Sequence, residues 1–425
     1  MKRSRIFIVI LSYAIITALW GCYSTNKVSV QNLSNQYRSD EHYLRPEFKL
    51  YHVNDSISLL YFKIDESNLL YVRRNQADSF TAAVKIYCRV SANYDATNFE
   101  DTNATTIKFA SITNTKREET VGTIPLKIKS GNTHLITVTT MDLMSRRTEL
   151  SYINADKLSP GNDQNFMLRD PMTGYLVFSP YIDSAVTYAI MYNHPADKFY
   201  VNYYKRDFPT AAPPFSVIEN KQFLYKPDST FVLKTGTSGV ALINLKAEGF
   251  YHIMADTNSR YGLTVYRFQK HYPTVGEVYQ MAGPLRYITT NDEFDRIMKA
   301  RDMKQAVDEF WINTSGNTKD RARALIRNYY NRVQDANNYF TSYEEGWKTD
   351  RGMVYIVYGA PNIIFRNSTS ETWTYGEDKN YMTLSFTFVK TNNPFTDNDY
   401  TLQRMPQFRN LWYNAVDIWR EGRIY

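Results

Sequence analysis

Asp350 and Arg351 are adjacent charged residues in a stretch whose composition could serve chemistry. The stretch is bounded by two glycines and reads Gly346, Trp347, Lys348, Thr349, Asp350, Arg351, Gly352. A carboxylate can act as a general base, and a tryptophan can stack on a ligand, but general-base catalysis also needs a partner and a cleft. Short Thr and Asp side chains equally accept hydrogen bonds from the backbone amides of a tight turn. We therefore predict a structural or interaction motif without catalytic residues, in which Trp347 packs under a sheet.

Cys22 is a candidate for covalent lipidation. The basic start, Met1 to Arg5, precedes an apolar run from Ile6 to Trp20, which is short for a spanning helix and usual for a secretory signal. The sequence Leu19-Trp20-Gly21-Cys22 resembles a bacterial lipobox, although Trp20 is an unusual occupant of its position. We predict a lipoprotein signal peptide over residues 1–21 and acylation of Cys22, with palmitate as one chain. The alternative is a plain signal peptide with an incidental cysteine.

The residues after Cys22 predict where such a lipoprotein would reside. Each buried methylene is worth about 0.8 kcal/mol, so two or more acyl chains anchor a protein stably where one would not. Tyr23, in place of an aspartate, resembles the pattern sorted to the outer membrane, and no acidic cluster for surface display follows. We expect an anchor in the inner leaflet, facing the periplasm. Residues 22–45 are polar and predict a flexible tether that would span roughly 25 Å.

Composition argues against several classes of site. The six histidines, His42, His52, His134, His194, His252 and His271, show no metal-ligand spacing, and no CxxC occurs, so we predict no metal and no cofactor. The net charge of +7 includes three basic residues of the signal, and the acidic residues are interspersed, which does not indicate nucleic-acid binding. If Cys22 is acylated, Cys88 is the remaining thiol, so no internal disulfide is expected. Its strand-like surroundings predict a buried, unreactive side chain.

Most of the chain has the apolar period of two that is typical of strands. Stretches such as Phe80 to Val90 alternate apolar and polar residues, and Asn, Asp, Ser and Gly clusters separate them. Strands without intervening helices predict antiparallel sandwiches. We expect one sandwich over residues 46–155 and a second over residues 163–271. Residues 209–214 contain three prolines and are expected to form a long loop.

Near residue 272 the period changes to 3.6, which predicts a mixed α+β domain over residues 272–425. Thr290 and Glu293 form a capping box, and Thr318 can begin the longest helix. The apolar stripe of that helix comprises Ala322, Leu325, Ile326, Tyr329, Tyr330, Val333 and Ala336, and its other face carries Arg323, Arg327 and Arg332. The apolar, aromatic run from Met353 to Tyr358 is expected to be a strand that Gly359-Ala360-Pro361 ends.

The heptapeptide resembles the signature of the GWxTD-domain family. The defined positions are all present as Gly346, Trp347, Thr349 and Asp350, and the continuation Arg351-Gly352 with Tyr358-Gly359 is also similar. The resemblance implies no enzymatic activity and no catalytic residues. We therefore expect a mainly β, tethered, non-enzymatic scaffold or interaction module in a cell-envelope assembly, with envelope proteins as partners through its aromatic strands and basic helix face. The alternative is a periplasmic hydrolase or carbohydrate-binding lipoprotein with a cleft around Asp350, Trp347 and Trp373.

Overall fold

A computed structural model describes residues 27–39, 44–76, 78–113, 118–182, 186–205, 207–217, 226–236, 239–376 and 383–424. The predicted signal peptide and Cys22 lie outside these ranges. Among the described helices, none combines the length and the hydropathy needed to span a bilayer.

The first unit is an antiparallel β-sandwich. Its strands are β1 (Glu47–His52), β2 (Ile57–Asp65), β3 (Phe80–Ser91), β4 (Asp101–Ser111), β5 (Glu119–Lys127), β6 (Thr133–Asp142) and β7 (Thr148–Asp156). They form a three-stranded sheet in the order β1-β2-β5 and a four-stranded sheet in the order β4-β3-β6-β7. Alternate residues of both sheets, such as Phe62, Val84 and Val138, share one buried core. Cys88 lies in that core as predicted, and burial raises the pKa of its thiol to about 12.

The second unit repeats this plan with shorter strands. They are β8 (Phe166–Arg169), β9 (Tyr188–Tyr192), β10 (Lys198–Tyr204), β11 (Ser229–Lys234), β12 (Ala241–Ile243), β13 (Gly249–Met254) and β14 (Leu263–Arg267). One sheet has the order β12-β9-β8 and the other β11-β10-β13-β14, and residues of both form a common core. The predicted mainly β architecture with two antiparallel sandwiches is therefore confirmed.

The C-terminal unit combines helices with one antiparallel sheet, as predicted. The helices are α1 (Val278–Ala282), α2 (Asn291–Lys299), α3 (Met303–Thr314), α4 (Lys319–Phe340), α5 (Asp350–Tyr358) and α6 (Phe408–Arg420). The sheet has the order β15 (Ile363–Arg366), β16 (Ser370–Tyr375), β17 (Leu384–Lys390) and β18 (Tyr400–Leu402). The largest core among the described residues is formed by the apolar stripe of α4, residues Met353 to Tyr358 of α5 and one face of the sheet. The Thr290–Glu293 capping box begins α2 as predicted.

The prediction that the run from Met353 to Tyr358 is a strand is wrong, because these residues form α5. Every residue from Arg351 to Tyr358 is buried, so the polar positions that would reveal a period of 3.6 are missing. A short apolar run of this kind is compatible with either a buried strand or a buried helix. The helix ends at Gly359, whose φ of 83° favours glycine.

The expected flexible tether also differs from the structure over residues 27–39. Two short 3-10 turns, Val28–Val30 and Ser34–Tyr37, lie against the folded body, with Val28, Leu33 and Tyr37 buried. The Ser29 amide donates to the Tyr94 carbonyl of the first sandwich, and the Leu33 amide donates to the Ile364 carbonyl of β15. Polar composition predicted a solvated chain, but three apolar side chains and these backbone bonds hold the segment in place.

Candidate functional site

The two glycines of the signature stand where the backbone leaves no room for a side chain. A Cβ atom on Gly346 would lie 2.1 Å from the Ala336 carbonyl oxygen of α4. A Cβ atom on Gly352 would lie 1.9 Å from the carbonyl oxygen of Gly346. The signature thus folds back on itself, and its 3-10 turn, Gly346–Lys348, lies directly on α4.

Thr349 begins α5. Its hydroxyl accepts from the Gly352 amide at 3.0 Å and donates to the Gly346 carbonyl at 2.8 Å. A threonine N-cap satisfies one of the orphan amides of the first helical turn. Thr349 binds backbone groups, as predicted, but this backbone belongs to the start of a helix.

Trp347 is partly buried and contacts helical segments, where the sequence predicted a position under a sheet. Its indole packs on Gly283, and its ring lies 6.4 Å from that of Tyr287 in an edge-on arrangement. The Trp347 amide donates to the Asn337 side chain of α4, and its carbonyl accepts from the Tyr287 hydroxyl at 2.8 Å. These contacts fix the turn against α4 and the Gly283–Tyr287 segment.

Asp350 is held by the end of β18. One of its carboxylate oxygens accepts from the Leu402 amide at 2.7 Å and from Arg404 at 3.0 Å, and the second oxygen also binds the Arg404 guanidinium. The side chains of Asp350 and Arg404 are only 10% and 13% exposed. A two-point ion pair of this kind fixes both position and orientation. The carboxylate is therefore engaged on both oxygens by the protein itself.

Arg351 lies at the centre of a buried ionic cluster. Its guanidinium donates to the Asn398 carbonyl at 2.9 Å and to the Asn398 side chain at 2.5 Å, and it lies 3.6 Å from Glu371. Its charge also lies 4.1 Å from the centre of the Tyr400 ring, a cation–π distance. A buried guanidinium needs such a set of partners, because an unpaired buried charge is very unfavourable.

Glu371 joins this cluster to the N-terminal segment. Arg366 donates to Glu371 at 2.8 Å and to the Tyr37 hydroxyl at 2.6 Å, and the Trp373 indole donates to Glu371 at 2.6 Å. Burial favours the protonated form of Glu371, but Arg366 and Arg351, together with the Trp373 hydrogen bond, outweigh burial and lower its pKa. Glu371 is thus a carboxylate, and the cluster pairs opposite charges.

The proline-containing loop of the second sandwich covers the signature from outside. The Ala211 amide donates to the Lys348 carbonyl at 2.9 Å, and Arg404 donates to the Ala212 carbonyl at 3.1 Å. The Lys348 ammonium lies 3.0 Å from Asp207, which precedes the loop, and 3.2 Å from Glu345. The predicted loop over residues 209–214 is confirmed, and it packs against the signature residues.

Two further carboxyl groups lie near the signature. Burial, partly opposed by the hydrogen bond from Asn393, raises the pKa of Asp399 to about 6. Burial and the neighbouring Asp399 raise the pKa of Glu344 well above its usual value. Carboxyl groups with raised pKa values are functional-site candidates in general. No set of three or more ligating side chains suited to a metal ion occurs within the described ranges.

The structure joins all the predicted signature residues into one site, but most of their partners were not predicted. These partners come from other parts of the chain and are Arg404, Asn398, Glu371, Arg366 and Tyr37. No local sequence pattern could have found them. Trp373, which the alternative hypothesis placed in a cleft, is fully buried among Tyr37, Phe340 and Phe388.

The predicted basic face of α4 is divided between two roles. Arg323 and Arg327 are exposed, and Arg323 pairs with Asp320. Arg332 instead donates to the Ile356 and Val357 carbonyls at the end of α5, at 3.2 and 3.1 Å. A cation at a helix C-terminus satisfies orphan carbonyls and complements the helix dipole.

The solved structures that resemble this chain include distant likenesses. The BSP domain of a biofilm associated protein is 12% identical, with a TM-score of 0.16, over 56% of this chain and 54% of that one. The calcium binding domain CBD12 of CALX1.1 is 11% identical, with a TM-score of 0.16, over 60% of this chain and 92% of that one. The chain thus spans about half the length of the biofilm protein's chain, and scores this low carry no argument about this protein.

One family model matches the C-terminal part of this chain. No curated protein matches this chain. The model of the GWxTD domain matches residues 249–421, which include the signature, its partners on β16 and β18, and strands β13 and β14 of the second sandwich. The matched region begins before residue 272, where the change of period placed the domain boundary. With the signature complete and folded as one site, this chain is a GWxTD domain-containing protein.

Proposed function

We propose that this protein is an outer-membrane-anchored periplasmic lipoprotein that acts as a non-enzymatic scaffold or interaction module in a cell-envelope assembly. Acylated Cys22 would bind the membrane, and the folded body would contact envelope proteins. The lipobox-like sequence before Cys22 supports the anchor, and Tyr23 supports sorting to the outer membrane. The modest, interspersed charge supports a protein partner in preference to a nucleic acid.

One observation supports a non-enzymatic role for the signature. Its charged side chains bind other groups of the same protein. Asp350 gives both carboxylate oxygens to Arg404 and the Leu402 amide, and Arg351 is buried against Asn398 and Glu371. A general base must reach a substrate proton, and the side chain of Asp350 is only 10% exposed behind these contacts. The geometry therefore favours an architectural role for the motif.

The anchor is tested by changing Cys22 to Ser. We expect the variant to move from the membrane fraction to the soluble periplasm, because it has no thiol to acylate. The measurement is fractionation of cells followed by immunoblotting, with Ser24→Ala as a control that keeps the cysteine. Unchanged membrane association of Cys22→Ser would refute the lipid anchor.

A candidate contact surface lies on the outside of α6. Leu411 and Tyr413 are 44% and 51% exposed there, and Phe215 packs beside Tyr413 at 5.4 Å between ring centres. Partly exposed aromatic and aliphatic side chains of this kind are common in protein interfaces.

Photo-crosslinking tests this contact surface in intact cells. A photo-reactive residue at position 413 should capture a discrete envelope protein that mass spectrometry can identify. The same residue at Lys304, an exposed position of α3, is the control. Equal capture at both positions, or none at 413, would contradict this surface.

The alternative, a hydrolase or carbohydrate-binding lipoprotein acting near Asp350, rests on Glu344 and Asp399. Their raised pKa values are the observation that favours it. An assay of envelope-polymer turnover with the purified protein distinguishes the two functions. Turnover that disappears in Glu344→Gln or Asp350→Asn, while the fold is kept, would overturn the scaffold proposal.

A further inference from the structure

A cavity of about 500 Å³ lies at the junction of the second sandwich and the C-terminal unit, and no signature residue lines it. Its floor is the outer face of the sheet β11-β10-β13-β14, and Pro394 and Phe395 of the C-terminal unit form part of its wall. Cavities of this size at domain junctions are common ligand sites.

Strand pairing places an aromatic and aliphatic row across the floor. Tyr200 of β10 lies between Val232 of β11 and Met254 of β13. On β10, Tyr200, Asn202 and Tyr204 face the cavity side, because Phe199 and Val201 point into the sandwich core. Tyr200 is partly exposed, and the Lys198 ammonium lies over its ring, 5.2 Å from the ring centre. A ligand would therefore stack on the ring face opposite Lys198.

The end wall of the cavity is rigid. Phe395 is buried, and its ring lies 5.2 Å from Tyr204, 5.0 Å from Phe250 and 5.1 Å from His252. The two ring nitrogens of His252 bind the Thr264 hydroxyl and the Arg260 carbonyl. Burial lowers the pKa of His252 to about 4, so it is neutral near pH 7. The wall thus adds shape but no charge.

Polar groups surround the aromatic floor without internal partners. Within the described residues, the side chains of Asn202, Thr230 and Thr257 make no hydrogen bond. A ligand that covered these groups with an apolar surface would leave them unpaired, which is unfavourable. A ligand with several hydroxyl groups on a ring that also has an apolar C–H face would satisfy both the polar groups and the Tyr200 ring.

Arg260 sets the charge of the site. Its guanidinium uses one nitrogen on the Asn392 side chain, and its side chain is exposed. No carboxylate is among the residues that line this cavity. A guanidinium binds a carboxylate with two parallel hydrogen bonds, so the cavity favours an anionic ligand.

We propose that this cavity binds a sugar that carries a carboxylate, of the uronic-acid type. The sugar's C–H face lies on Tyr200, its hydroxyl groups bond to Asn202, Thr230 and Thr257, and its carboxylate binds Arg260. This site is independent of the lipid anchor and of any partner on α6.

Isothermal titration calorimetry of the full-length protein in detergent tests the site, with digalacturonate and its neutral counterpart galactobiose as probes. We expect digalacturonate to bind at least about tenfold more tightly than galactobiose, as a charged hydrogen bond predicts. Arg260→Gln should remove that difference by weakening digalacturonate binding to about the affinity of galactobiose. The matched control is Arg323→Gln on α4, which removes the same charge elsewhere and should change neither affinity.

Three results would overturn the proposal. They are no binding of either sugar, equal binding of both sugars, and the same affinity for digalacturonate in Arg260→Gln and Arg323→Gln. A tetraglutamate peptide that bound as tightly as digalacturonate would overturn the assignment to a sugar, because charge alone would then explain binding. Asn202→Ala should weaken binding of both sugars by a similar factor, since it removes a hydroxyl contact that they share.

Discussion

The residue types of the signature follow from the space and the polar groups around them. Gly346 and Gly352 are required because any Cβ atom would overlap a backbone carbonyl. Thr349 is required to cap α5, and Asp350 to bind Arg404 and the Leu402 amide. At the residue scale, the glycines of the motif therefore allow close backbone contacts, and Thr349 and Asp350 hold the backbone in that position.

Gly352→Ala tests the close approach within the signature. We expect a loss of about 3 kcal/mol in the free energy of unfolding, because the new methyl group meets the Gly346 carbonyl, which cannot rotate away. Urea unfolding followed by circular dichroism is the measurement. Gly276→Ala is the matched control, since no atom lies within 4 Å of its Cβ position, and should change stability by less than about 0.5 kcal/mol. Equal effects of the two substitutions would contradict the crossing.

The sequence predicted the signature residues and the backbone-binding role of Thr349, but not the partners of Asp350 and Arg351. Arg404 lies 54 residues after Asp350, and Tyr37 lies 314 residues before Arg351. Such pairings depend on how the three units pack, and local patterns contain no information about that. The polar groups of the sugar cavity are likewise spread over β10, β11 and the turn after β13.

At the element scale, α5 shows how a helix can be mistaken for a strand. Its β-branched and aromatic residues favour a strand in isolation, but burial on all sides and packing on α4 determine the observed helix. The start signal was present in the sequence: Thr349 as N-cap, with Asp350 in the first turn. The sequence did predict the start of α2, because its capping residues are polar and the exposed polar residues after them show the helical period.

Glu293 links the start of α2 to the end of α6. Its carboxylate receives two hydrogen bonds from Arg420, at 2.7 and 3.0 Å, in addition to its bond with the Thr290 amide. These bonds lower the pKa of Glu293 to about 2, with the Arg420 hydrogen bond as the largest cause. A lowered pKa means that the folded state prefers the ionised form. This stabilisation is present above the unfolded pKa of about 4.5 and is lost as pH falls toward 2.

Glu293→Gln tests this link, because glutamine keeps the capping box and removes the charge. We expect the variant to be less stable than the native protein by about 1 kcal/mol at pH 7. The difference should shrink between pH 4.5 and pH 2, as the native carboxylate becomes protonated. Thermal unfolding across this pH range is the measurement. Asp295→Asn, which removes an exposed pair with Lys299, is the control and should have little effect at pH 7. A pH-independent difference for Glu293→Gln would show that the ion pair contributes nothing.

At the scale of the whole molecule, separate segments connect the two sandwiches to the C-terminal unit. Residues 27–39 bond to Tyr94 of the first sandwich and to Ile364 of β15. Residues 209–214 bring the second sandwich onto the signature, and Phe395 packs on Tyr204 and Phe250 of that sandwich. The sequence predicted the sandwiches and the mixed domain from their periods, but these junctions have no period and were not predicted.

Substitutions at Tyr37 test whether the N-terminal segment is a structural part of the body. Tyr37→Ala should reduce the free energy of unfolding by about 4 kcal/mol, because it removes a buried ring and leaves Arg366 with one partner fewer. Tyr37→Phe should cost about 1–2 kcal/mol, since it removes the hydroxyl acceptor alone. Gln31→Ala, at an exposed position of the same segment, is the control. Chemical unfolding of the three variants is the measurement, and a negligible effect of Tyr37→Ala would restore the flexible-tether hypothesis.

If Cys22 is acylated, the docked N-terminal segment limits how far the body can move from a bilayer. Five peptide links separate Cys22 from Lys27, and even a fully stretched chain of that length reaches only about 18 Å. If acyl chains on Cys22 enter the membrane, the edge of the molecule where the first sandwich meets β15 must then stay close to the lipid headgroups. The body could then rotate about this short connection, but it could not move far from the membrane surface, and its partners would have to approach that surface.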